Sequence, residues 1–225
     1  VLIFGSQGWH QVGGQALKTG WADFYPADMP QDWRLDFYTS FFDCLLLDQS
    51  DWQNASPDWL EMVAESLENE AFDWVLSVDD YSDQALDRLQ ALLEQPGFER
   101  VQLLCWSPDP AWLERLPALV KVTIGLKKPL EQSQDMKQVK AQWQPFLSGS
   151  DWDWCTQDTC LIGWPLGYWP TLPDDPKQQA GWLQTFAASL PETLSGERVP
   201  CVAGAGVSAK TLRELKVMAD VLGLT

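Results

Sequence analysis

The feature that most constrains the fold is a unit that recurs along the chain. It consists of a short apolar run, a polar tip, and a segment whose apolar residues recur at helical spacing. The clearest copy is Cys44-Leu-Leu-Leu47, bounded by polar residues and too short for a helix. Such a run reads as a strand buried on both faces. It leads into Asp48, Gln49, Ser50 and Asp51, which crowd polar groups at the strand's carboxyl end. In α/β folds that end is where ligands bind and chemistry sits.

Other copies of the unit predict strands at 1–4, 72–78, 101–106, 119–124 and 160–164, with a short one at 152–155 and a last one at 200–203. Helical spacing predicts helices at 30–42, 57–68, 82–95, 110–116, 131–146, 178–190 and 208–222. Ser56 is the expected N-cap of the second of these, and Pro96-Gly97 stops the third. Segments 10–30 and 165–176, rich in Gly and Pro, read as loops. Short buried strands alternating with helices predict an α/β chain of TIM (β/α)8 barrel type, irregular around the sixth strand. A doubly wound open sheet is the alternative. No linker or low-complexity stretch divides residues 1–225, so one domain is expected.

The formal net charge of −17 argues against nucleic acid and anionic membranes as partners. It keeps the protein soluble or presents an acidic face to a basic partner. No signal-like segment opens the chain and no apolar run is long enough for a membrane span, so a cytoplasmic protein is expected. The five cysteines read as free thiols rather than disulfides, with Cys44, Cys105 and Cys201 in apolar runs. Cys155 and Cys160 have too few companion ligands for zinc, so no metal site is expected.

Three stretches carry a family resemblance. Ile3-Phe-Gly-Ser-Gln-Gly-Trp9 is similar to the Ile-Gly-Thr-Ser-Gly-Trp of the YecE-like proteins, the family named domain of unknown function 72. Phe24-Tyr-Pro26 with Pro30, Trp33, Phe37, Tyr38 and Phe41 is the second stretch, and the strand at 44–47 is the third. The resemblance implies a TIM barrel. It also implies a remodelled pocket, because the family's Glu falls on Leu46, and its Asn and Thr on Asp48 and Ser50. Further along, Val78-Asp79 stands for Val-Lys, Gly125-Leu-Lys-Lys-Pro129 for Glu-Phe-Arg-His-Pro, Gly163-Trp-Pro165 for Arg-Leu-His-Gly, and Gly204-Ala-Gly206 for Phe-Asn-Asn. Only Lys127 looks like a conservative survivor. A site without those groups cannot run the same acid/base chemistry.

Asp48, Asp51, Asp79 and Asp80 follow neighbouring strands and are the catalytic candidates. Gathered on one rim they would supply an acid/base pair for glycoside chemistry or oxygen ligands for a divalent metal. Otherwise they cap the helices that follow. Trp9, Trp52, Trp106 and Trp164 would ring the same rim as stacking platforms or pack as core, in a chain with fourteen Trp. His10 is a lone candidate base with no nucleophile beside it. Gly204, Gly206 and Ser208 form either a phosphate-binding turn or a tight turn with Ser208 as N-cap. The functional expectation is a non-catalytic or regulatory binding protein with a degenerate barrel-mouth pocket, taking a small-molecule ligand or a protein partner. The alternative is a hydrolase- or isomerase-like enzyme on a sugar or phosphorylated small molecule. The sequence specifies no cofactor or oligomeric state.

Overall fold

The structure is a computed structural model that describes residues 1–8, 21, 23–68, 70–118, 120–127, 136–147, 151–156 and 159–225. In chain order its first half runs β1 (Leu2–Gln7), α1 (Arg34–Thr39), β2 (Cys44–Leu47), α2 (Gln49–Gln53), α3 (Pro57–Ser66), β3 (Asp73–Val78), α4 (Asp83–Leu93) and β4 (Val101–Trp106). The second half runs α5 (Pro110–Leu113), β5 (Lys121–Lys127), α6 (Met136–Trp143), β6 (Trp152–Cys155), β7 (Thr159–Gly163), β8 (Gly167–Trp169), α7 (Pro176–Ser189), β9 (Val199–Ala203) and α8 (Ala209–Val221). Helix starts follow capping chemistry. Ser56, Ser82 and Ser208 each accept a backbone N–H three residues on, opening α3, α4 and α8.

Among the described residues all nine strands join one sheet, in the order β6-β7-β5-β4-β3-β2-β1-β9-β8. Six ladders are parallel, and the two that β7 makes with β5 and β6 are antiparallel. The closed, all-parallel eight-stranded barrel expected from the sequence is therefore corrected to a mixed α/β sheet. The reason is local: a parallel crossover takes a dozen or more residues, and only three separate Cys155 from Thr159. β8 is the strand beyond the eight expected, and it lies inside the stretch read as a loop.

The sheet is strongly curled. The Trp106 ring on β4 and the Tyr168 ring on β8 have centroids 5.9 Å apart. Those strands are five places apart in the sheet, a separation of about 24 Å if it were flat. The short link from Gly163 to Gly167 makes the same point: four residues span at most about 14 Å, yet they carry the chain from a strand paired with β5 to one paired with β9. Buried Gln102 and Thr123 hold this link through its carbonyls. Gln102 Nε2 donates to Pro165 O at 3.1 Å and Thr123 Oγ1 to Trp164 O at 2.6 Å. Among the described residues, no helix is long and apolar enough to cross a membrane.

The thiol expectation holds at Cys44, Cys105 and Cys201, which are free and buried. It fails at Cys155 and Cys160, which pair across β6 and β7 and form a disulfide. Burial pushes all three free thiols well above their ordinary pKa, and the thiolate is the reactive form. Iodoacetamide is thus expected to add nothing to the folded, unreduced chain at neutral pH. After mild reduction of the folded chain it adds two groups, at Cys155 and Cys160. Intact-mass analysis with peptide mapping reads both results, and labelling before reduction would contradict the pairing.

Candidate functional site

Parallel pairing sets Gln7, the last residue of β1, against Leu46 of β2, so Asp48 stands just beyond it at the carboxyl end of the sheet. Gln7 Nε2 donates to Asp48 Oδ1 at 2.8 Å. β8 lies two places from β1 in the sheet, on the far side of β9, and its Tyr168 hydroxyl donates to Gln7 Oε1 at 3.1 Å. Trp106, ending β4, meets the Tyr168 ring edge-on, with an interplanar angle of 66°. All four side chains are half-buried. Gly125 makes the room for Trp106, because a Cβ there would sit 2.5 Å from the indole. The next residue, Ser107, has φ 49°, the one non-glycine positive φ among the described residues. Such backbone strain clusters at ligand sites. Burial raises the pKa of the Tyr168 phenol, and the Asp48 carboxylate adds to the rise.

This arrangement can hold a ligand between a flat aromatic wall and a carboxylate fixed in direction by an amide. Of the four aspartates singled out in the sequence, Asp48 belongs to it; Asp51, Asp79 and Asp80 are placed otherwise. Gln49, 6% exposed, accepts from the backbone N–H groups of Asp79 and Asp80, both at 2.7 Å, and donates to Asp80 O at 2.9 Å. The Asp80 carboxylate is engaged by the backbone and hydroxyl of Ser82, and it is Ser82 that caps α4. Asp79 is exposed, and Asp51 lies in the first turn of α2. Among the described residues, no three His, Cys, Asp or Glu side chains gather to hold a metal ion.

Of the three rim tryptophans among the described residues, Trp106 is found in place and Trp52 and Trp164 are not. Trp52 is fully buried and donates Nε1–H to Ser77 O at 2.9 Å, so it is core. Trp164 follows β7, which runs opposite to its neighbours. It therefore lies at the amino end of the parallel strands, where its backbone N–H donates to Val122 O and Lys121 Nζ sits 4.4 Å from the ring centroid. Trp9, His10 and the Lys127 side chain lie outside the described residues. At the last loop, Gly204 N–H donates to Trp169 O at 2.7 Å and Ser208 Oγ caps α8. The groove beside Gly206 and Ser208 is lined by Asp174 and Glu214, whose charge opposes a phosphate. Sequence reasoning missed Gln7, Gln49 and Tyr168. Gln7 lay in a noted motif but carries no charge to draw attention, and Tyr168 sat among turn-forming residues.

The Gln49 clamp has a measurable consequence. Gln49→Ala leaves two N–H groups and a carbonyl without their partner, each unmade bond costing about 1–3 kcal/mol where water cannot replace it. At this chain length each kcal/mol is about 2–4 °C of Tm. A fall of roughly 5 °C or more is expected by calorimetry, and an unchanged Tm would contradict the clamp. No family model, no curated protein and no solved structure matches this chain.

Proposed function

We propose that the chain is a non-catalytic or regulatory binding protein that takes a small ligand at the carboxyl mouth of its curled sheet. The fold is read as a (β/α)8 barrel remodelled from a YecE-like pattern, with the β6–β7 hairpin and β8 replacing regular units. The observation that carries the binding reading is the Asp48–Gln7–Tyr168 relay facing Trp106. Acid/base catalysis on a sugar needs a second carboxyl group placed across the reacting bond. Asp80 is engaged by Ser82, and the backbone at Asp79 is held by Gln49, which favours binding over turnover. The charge of −17 disfavours nucleic acid as a partner.

The test is a thermal-shift screen against sugars, sugar phosphates, organic amines, nucleotides and divalent metals. A ligand at 100 times its Kd adds about 2.7 kcal/mol, a shift of roughly 5–10 °C at this size. The expected result is a hit that disappears in Trp106→Ala and is weakened in Asp48→Asn. Hits untouched by both variants, or no hit in any class, would overturn the mouth as the binding site. Turnover of a bound compound, abolished by Asp48→Asn, would replace the binding reading with the enzymatic one.

A further inference from the structure

We infer that the mouth selects an organic cation, an ammonium or guanidinium carried on a flat apolar body. The inference rests on the mouth being the binding site proposed above, and it follows from the direction in which the relay must run. A carboxylate only accepts hydrogen bonds, so the Gln7 amide has to turn its nitrogen to Asp48. Its carbonyl oxygen then faces Tyr168, and the phenol gives up its single hydrogen to it. The relay therefore fixes both of its ends as acceptors. Asp48 keeps its second carboxylate oxygen, Tyr168 keeps phenol lone pairs, and neither has a hydrogen left to offer. Gln7 retains one N–H. A ligand that satisfies both ends must donate at least twice.

Charge separates the donors. A hydroxyl brings one hydrogen and no charge, whereas an ammonium brings three and a guanidinium five. The half-buried Asp48 carboxylate attracts a positive ligand and repels an anion. The Tyr168 ring, whose hydroxyl ends the relay, and the Trp106 ring edge-on to it supply an aromatic surface that favours a cation and an apolar body. The net charge of −17 adds a long-range field of the same sign. These terms agree, and all of them work against phosphates.

Isothermal titration of the whole chain with four probes of one shape tests this: benzylamine, benzamidine, benzyl alcohol and benzoate, with glucose as a neutral polyol. The expected order is benzamidine and benzylamine tighter than benzyl alcohol by about tenfold or more, with benzoate not binding. The preference should shrink as salt is raised. Asp48→Asn keeps an acceptor for the Gln7 N–H but removes the charge, and it should abolish the preference for the amines. Trp106→Leu should weaken every probe that binds. The charge series on the unaltered chain decides the matter even if one variant fails to fold. Benzyl alcohol or glucose binding as tightly as the amines, and lost in Trp106→Leu, would overturn the cation inference and leave the mouth standing. Amine binding indifferent to both substitutions, or no heat from any probe, would overturn both.

Discussion

Gly5→Ala is expected to leave little or no folded protein. Gly5 lies within β1, between Cys44 of β2 and Val202 of β9. A Cβ at this position would stand 1.8 Å from the Cys44 carbonyl oxygen, 2.5 Å from its carbon and 2.9 Å from its sulfur. The first two are backbone atoms, so no rotamer change relieves the clash. Relief requires β1 to move away from β2, and that movement breaks the ladder that brings Gln7 beside Asp48. Ordinary overpacking costs about 1–3 kcal/mol, and a backbone clash in the interior of the sheet belongs at or beyond the top of that range. Soluble yield and thermal melting measure the effect: loss of soluble protein, or a Tm lower by roughly 10 °C. A variant melting like the parent would contradict the β1–β2 packing.

The second large effect is expected at Trp52. Its indole is fully buried and its Nε1–H donates to Ser77 O, so Trp52→Ala removes a core side chain and strands a carbonyl. Truncating a buried Trp costs about 3–5 kcal/mol, which at this length is a fall of roughly 6–20 °C. Trp52→Phe keeps much of the ring volume and loses the hydrogen bond, so a smaller fall is expected. A sugar- or amine-stacking platform behaves differently: its truncation weakens ligand and leaves melting almost unchanged. Trp106→Ala should show that second pattern. A Trp52→Ala protein with an unaltered Tm would return Trp52 to the rim.

These two positions show what was legible in the sequence. The strands at 44–47 and 101–106 are found with the expected bounds, because a short apolar run between polar residues has few other ways to be buried. The strand at 152–155 also has its expected bounds, with Trp152 buried and Asp153 exposed. Ser56 and Ser208 cap as expected because a hydroxyl before a helical segment satisfies an orphan N–H wherever the helix lies. What was not legible depends on direction and on distant neighbours. Trp164 does follow a strand, but that strand is antiparallel, so the end that looked like the mouth is the opposite one. The spacing of Cys155 and Cys160 fits a hairpin as well as two free thiols, and only strand pairing decides between them. Tyr168 meets Gln7 across 161 residues of chain because β9 pairs with both β1 and β8, and it meets Trp106 only because the sheet curls.

The mouth is tested most directly as the ligand site by a ¹H–¹⁵N NMR titration with benzylamine, following the Gln7 side-chain amide and the Trp106 indole. These two signals are expected to move together along one saturating curve. Signals from the Asp174–Glu214 groove and from the Arg198–Asp73 ion pair at the amino end should stay still. Shifts confined to either of those places, with Gln7 and Trp106 unmoved, would contradict the mouth as the ligand site.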